Sequence, residues 1–328
     1  MKGRTICGLA GALLAVLLLP ACGQPDAGAA TDGLVVVDLD RRDPERLLRY
    51  YFGGYAGPGG GDPFEAGLLR EQEGRFFLDA PRLAQQHPDL AGSLDASIAD
   101  GRLDWDELEA FLRATYYDAR GVPPTLDALR AEVPYAAEDT AWFSVEIDGV
   151  MTTARRRVFV PVSALRHALR NYAAQGEQLL YPEGTPFVGE HWDGDTRIET
   201  TMMRKRADGA WDYATYGADG RLADATQARP RALKTPTQCV GCHYGSKLFE
   251  PERSFPAAAP DGPHGPRGLY VPDAWRDAEV ARFFDEHRKR SDTVLGLYNT
   301  LFVSRLRADR RAGRLAPDAA ALLDSLGL

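Results

Sequence analysis

The sequence predicts an α+β fold, an antiparallel sheet crossed by a helix and flanked by helical segments on both sides. Three observations predict it. Apolar residues recur at helical spacing between 34 and about 140. From 141 to 217 the period drops to two, with turn dipeptides between the runs. After about 260 the helical spacing returns.

In the first region, Asp43-Pro44-Glu45 opens a short helix through Tyr51. Pro44 takes its first position, where a missing N–H leaves no bond unmade. The stretch GGYAGPGGGDP, 53–63, is a loop of breakers. A second helix surrounds Ala80 to Leu90, and a third runs from about Trp105 to Ala119 with Leu108, Phe111, Leu112 and Thr115 on one face. Between them, SLDASIADGRLDWDELEAF resembles a damaged EF-hand. Asp100, Gly101, Leu103, Asp104 and Glu107 fill its fifth, sixth, eighth, ninth and twelfth loop positions. The first and third are Ala96 and Ile98, which offer calcium no oxygen; Asp95 and Ser97 serve only in a loop longer by one residue. A helix–turn–helix with Asp104 as the next cap is expected over a working calcium site.

The second region begins with WFSVEIDGVMTTARRRVFVPV, which alternates around Asp148-Gly149 as a hairpin does. Ser163 then caps a helix to about Gln175, with Leu165, Ala168, Leu169 and Tyr172 on one face. TPFVGEHW (185–192) reads as a strand, and RIETTMMRKR and WDYATY as two more, joined by Ala207-Asp208-Gly209-Ala210. In the third region Trp275 to Arg310 carries a long helical pattern, broken near Ser291 or Gly296. Gly313 and Pro317 precede a short last helix. The expected boundaries are 34–140 for a helical region, 141–258 for a β-rich domain and 259–328 for C-terminal helices.

The formal charge of −8 argues against a nucleic-acid partner, since no basic surplus exists to neutralise phosphates. The N-terminus has the form of a targeting segment. MKGR is basic, and Ile6 to Leu19 is almost wholly apolar but short for a membrane span. Leu19-Pro20-Ala21-Cys22 then resembles a bacterial lipoprotein signal, with residues 1–21 removed and Cys22 lipidated; the competing reading is an ordinary cleavage site beside a cysteine. Residues 22–33 form a flexible tether. With no aspartate directly after Cys22, the analogy points to a periplasm-facing lipoprotein of a Gram-negative outer membrane, held by its lipid.

Of the four cysteines, Cys7 leaves with the leader and Cys22 takes the lipid, so Cys239 and Cys242 remain for the folded body. They stand in Cys239-Val240-Gly241-Cys242-His243. A structural zinc site needs four ligands, and the five other histidines lack any close spacing. A redox dithiol belongs at a strand–helix junction of a βαβ unit, whereas an antiparallel meander precedes this one. Covalent haem fits: two close thiols add to the porphyrin vinyl groups, and the histidine directly behind them comes up beneath the iron. One such run predicts one haem c, bonded to Cys239 and Cys242 with His243 as proximal iron ligand.

YPEGT at 181–185, Glu190, and Met203, Lys205 and Trp211 around a hairpin, closing with CVGCH, resemble the cytochrome P-460 family and its relative cytochrome c′-beta over about residues 141–250. The resemblance implies a haem lying on an antiparallel sheet. It also implies a range of activities, from hydroxylamine or nitric-oxide oxidation to the binding of small gases. Some members carry an added lysine–haem cross-link. Lys205, Lys234, Lys247 and Lys289 are the lysines after the leader, and none sits at a matching position.

The sixth iron ligand separates these activities, because a strong ligand favours electron transfer and an open site favours small-molecule chemistry. Met202, Met203 and His191 are the candidates, and adjacent Met202 and Met203 must point to opposite faces of a strand. Packing is the competing role for each. Phe187, Trp211, Tyr213 and Tyr216 are candidate haem walls, and Glu190 and Glu199 candidate proton-handling groups. ARRRV at 154–158 and RKR at 204–206 supply charge for haem propionates or an acidic redox partner, or are solvated strand edges. Electron transfer is the expected activity. The alternatives are a haem oxidase of hydroxylamine or nitric oxide, or a protein that binds and senses gas.

Overall fold

The structure, a computed structural model, describes residues 33–40, 44–135, 141–148, 154–175, 179–228, 232–240, 277–280, 282 and 293–328. Residues 1–32, Cys22 among them, and Met151, Cys242 and His243 lie outside the described residues. From Leu34 to Leu328 the chain forms one unit. It is a mixed α and β structure with two sheets.

The N-terminal part contains β1 (Leu34–Val37), α1 (Pro44–Gly53), β2 (Leu69–Gln72), β3 (Arg75–Asp79), α2 (Ala80–Gln86), a 3-10 turn (Pro88–Leu90), α3 (Ala91–Ser97), β4 (Arg102–Leu103), α4 (Trp105–Ala119) and α5 (Leu126–Glu132). The helical reading of 34–140 omits the sheet here, ordered β2-β3-β1-β4. These strands are two to five residues long, and their sequences do not alternate apolar with polar residues, although β1 buries Val35 and Val37; β2 buries only Leu69. The hairpin between β2 and β3 turns on Glu73 and Gly74 at φ 52° and 74°, the two positive φ values that match the twist of paired strands. The helix expected at Ala80 to Leu90 divides because Pro88 denies the chain a backbone donor.

The EF-hand-like stretch folds as a helix–turn–helix. Gly101 makes the turn at φ 80°. Asp104 caps α4 by accepting from Glu107 N at 2.9 Å, while the Glu107 carboxylate accepts from Asp104 N at 2.8 Å. Asp100 accepts from Arg102 N, and Ser97 donates to Ser93 O in its own helix. Asp95 lies on α3. Among the described residues no three His, Cys, Asp or Glu side chains are gathered to hold a metal ion. The α4 face expected from spacing is the buried one: Leu108, Phe111, Leu112 and Thr115 are each 2% exposed or less.

The second sheet is an antiparallel meander of β5 (Trp142–Asp148), β6 (Arg155–Pro161), β7 (Pro186–Asp193), β8 (Thr196–Lys205) and β9 (Trp211–Gly217). Helix α6 (Val162–Gln175) joins β6 to β7 and buries Ala164, Leu165, Ala168 and Leu169. The residues between Asp148 and Ala154, including the Asp148-Gly149 turn position Gly149, are outside those described. In YPEGT the chain turns at Gly184, φ 77°. Tyr181 then packs edge-on to Phe187 and Trp211, with centroids 5.1 and 5.9 Å away.

Strand alternation gives this sheet two apolar faces. On one, Phe159, Val188, Met202, Ala214 and Tyr216 pack with Leu126 and Leu129 of α5 and with Tyr135. On the other, Phe143, Val145, Val158, Val160, Phe187 and Tyr213 join a core shared with α6, the N-terminal part and α7 (Thr293–Arg311). Helix α7 runs through Gly296 without the expected break, and Ser291 lies outside the described residues. Gly313, at φ 68°, turns the chain into α8 (Pro317–Ser325). Among the described residues no helix is long and apolar enough to cross a membrane.

Candidate functional site

The segment carrying Cys239 is tied to the second sheet and to α4. Thr235 N donates to Asp224 O at 2.8 Å, and the hydroxyls of Thr215 and Thr235 lie 2.9 Å apart. Thr237 donates to Glu109 Oε1 at 3.0 Å, while Lys234 Nζ pairs with Glu109 Oε2. Tyr51 OH donates to Thr237 O at 3.1 Å. A helical turn begins at Cys239 and Val240, whose N–H groups donate back to Pro236 O at 3.0 and 3.3 Å. The sequence foresaw neither Glu109 nor Tyr51 as a support for this turn. Both sit on helical faces that spacing alone marks as packing.

Cys239 borders a cleft of about 150 Å³ against the second sheet, lined also by Val158, Phe187, Met203, Tyr213 and His191. The register explains this set. Phe187 pairs with Met203 and Met203 with Tyr213. Gly189 pairs with Thr201 and Thr201 with Thr215. All therefore share one face with His191 and Val158. Both adjacent methionines border the cleft, but Met203 shares this face, whereas Met202, 2% exposed, is packed with the opposite layer. Among the aromatic candidates, Phe187 and Tyr213 line the cleft. Trp211 meets Phe187 edge-on at 5.6 Å, and Tyr216 is buried with Met202.

Gly189 is a cleft residue, with Thr201 and Thr215, that the sequence did not single out. It interrupts β7 in mid-strand, and a Cβ there would stand 3.0 Å from Thr201 Oγ1 and 3.7 Å from His191 Nε2. An isolated glycine inside a strand is itself the signal, since it marks close approach by another group.

His191 is 6% exposed and Glu199 is fully buried. His191 Nδ1 lies 3.2 Å from Glu199 Oε1 but without hydrogen-bond alignment. Burial, with the charge of Arg156, holds the His191 imidazole well below its usual range. Burial pushes the Glu199 carboxyl up, against the opposing pull of backbone N–H groups from Gln227 and Ala228. Glu190 belongs to the other face, where its Oε1 accepts from Tyr135 OH at 3.3 Å and Arg130 at 3.4 Å.

The basic runs divide in the same way. Arg206, whose side chain is 1% exposed, pairs with Asp208 and donates to Tyr50 O at 3.1 Å. Arg204 lies 3.6 Å from Asp212. Arg156 alone of 155–157 lines the cleft.

The set offers a thiol at the border, aromatic and aliphatic walls, a bare strand position, and a cation at one end. No family model matches this chain, and no curated protein and no solved structure matches it.

Proposed function

We propose that this chain is an exported, lipid-anchored monohaem c-type cytochrome that transfers electrons. The observation that carries the reading is Cys239, first residue of a CxxCH run, bordering an apolar cleft that shares its sheet face with Met203. In this reading Cys239 and Cys242 hold the haem by thioether bonds, His243 binds the iron from one side, and Met203 is the favoured sixth ligand, with His191 second. Met202 is set aside because its layer is the opposite one. Bound haem supplies a one-electron couple. The chain's own part is to exclude water with Phe187, Val158 and Tyr213 and to fix the turn that presents Cys239.

The bare position at Gly189 favours a second reading, in which a small molecule such as hydroxylamine, nitric oxide or another gas reaches the cleft. Intact mass of protein matured in a host competent in cytochrome c assembly tests the haem itself. A mass lacking the tetrapyrrole ends the proposal. Spectra of the reduced protein with and without carbon monoxide then separate the readings. An unchanged spectrum supports the six-coordinate carrier, and a prompt shift supports the open site.

A further inference from the structure

Arg155, Arg156 and Arg157 are consecutive on β6, and the register treats them differently. Arg155 lies 3.7 Å from Glu146, and the Arg157 guanidinium sits 5.0 Å over the Phe159 ring, on the face away from the cleft. Arg156 stands opposite His191 in the β6–β7 ladder, and its Cδ passes 3.9 Å from where a Cβ at Gly189 would be. Its Nε is buried and lacks a hydrogen-bond partner. His191, buried in the same cleft, likewise has no aligned partner for Nδ1. Thr201 Oγ1 lies 3.4 Å from His191 Nε2 and 3.3 Å from Gly189 O. Glu199, the neighbouring carboxyl, accepts from the N–H groups of Gln227 and Ala228 at Oε2 alone; its Oε1, 3.2 Å from His191 Nδ1, has no hydrogen-bond partner, and burial pushes this carboxyl toward its neutral form. Buried polar atoms are nearly always satisfied, so orphans gathered at one end of a cleft mark a missing ligand.

We propose that Arg156, over the bare position of Gly189 and beside Thr201 and His191, forms a subsite for a carboxylate-like oxyanion. A planar two-oxygen group matches the guanidinium fork, and the absent side chain at Gly189 gives it room. Two sources share this chemistry: a propionate of the bound haem, which rests on the reading above, and a free small anion, which does not.

Formate is the probe, with wild type, Arg156→Gln and Arg157→Gln compared as matured protein and haem content read separately by intact mass. Formate binding measured by calorimetry, weakened about tenfold or more by Arg156→Gln and unaffected by Arg157→Gln, identifies a free anion. Absence of formate binding, with a haem midpoint potential moved by Arg156→Gln and not by Arg157→Gln, identifies the propionate. Equal formate binding in wild type and Arg156→Gln overturns the subsite, as does the absence of both formate binding and a potential shift. If the mass shows no haem, the formate arm decides alone. Binding that depends on Arg156 keeps the subsite without its propionate source, and its absence overturns it. Arg156→Lys, which keeps the charge and loses the fork, replaces the glutamine variant if that variant does not fold.

Discussion

Arg120, at the end of α4, grips Asp212, at the start of β9, with two hydrogen bonds: Nε to Oδ1 at 2.9 Å and Nη2 to Oδ2 at 3.1 Å. The two side chains are 4% and 1% exposed. Arg120 Nη1 also donates to Gly54 O at 2.6 Å, so one guanidinium joins the α1–β2 loop, α4 and the second sheet. Removing the carboxylate strands a buried cation. Asp212→Ala is therefore expected to lower stability by about 3–5 kcal/mol in urea unfolding. Replacing both residues by Met and Leu is expected to recover much of that loss. A loss under 1 kcal/mol in the single variant would place the pair among exposed ones.

Met202 and Met203 make a paired test. Met202→Ala empties a packed layer and is expected to cost about 2–5 kcal/mol while leaving the reduced spectrum unmoved by carbon monoxide. Met203→Ala is expected to make that spectrum respond to the gas, with a smaller stability loss. Identical spectra for both variants and wild type would remove Met203 as an iron ligand.

Gly189→Val is expected to keep the fold, because the backbone there is extended and valine suits a strand. Its Cβ would stand 3.0 Å from Thr201 Oγ1, so a stability loss of about 1–3 kcal/mol through overpacking is expected. The added methyl groups occupy the space beside Thr201 and His191, so covalent haem incorporation, read by intact mass, should fall. Full incorporation with unchanged spectra would mean that nothing approaches this strand closely.

Glu109 carries the pH prediction. Burial pulls its carboxyl up, but the bonds from Lys234 and Thr237 and the charges of Lys234 and Arg113 outweigh it, and the group sits below its usual range. A carboxyl lower in the folded state stabilises fully above its unfolded value, near about pH 4.3. That contribution is lost as pH falls through the folded value. Glu109→Gln should therefore flatten the acid limb of the stability curve below about pH 4.3 and loosen the Cys239 turn. An acid limb of unchanged slope would show that the carboxylate contributes no stability.

Asp104→Ala is expected to lower the melting temperature through loss of the α4 cap, worth about 1 kcal/mol, with or without added calcium. A loss that appears only with calcium present would restore the cation reading of this loop.

The parts legible in the sequence share one trait: their pattern is long enough to repeat. The α4 face, the α6 face and strands β7 to β9 each run seven residues or more. Their spacing predicts the side chains that are buried. The N-terminal sheet was hidden because β2, at four residues, has one buried position, and β1, LVVV, has no polar partner in its pattern. At the site, alternation required that Met202 and Met203 diverge, but which one shares a face with Phe187 and Tyr213 depends on pairing across three strands. Arg156 was indistinguishable from its neighbours for the same reason. Glu109 and Tyr51 hold the Cys239 turn across 128 and 186 residues of chain, and no local spacing encodes such a contact.

Those long-range ties bear on how the molecule is cut for experiment. A fragment beginning near residue 141 keeps every strand of the meander yet sheds Arg120, Glu109, Tyr50 and Tyr51 together. It would leave Asp212 charged without its counterion, and Trp211 O without the phenol that caps it. Trimming this protein to its sheet should yield aggregates rather than a smaller folded unit, and the shortest useful piece starts at Leu34.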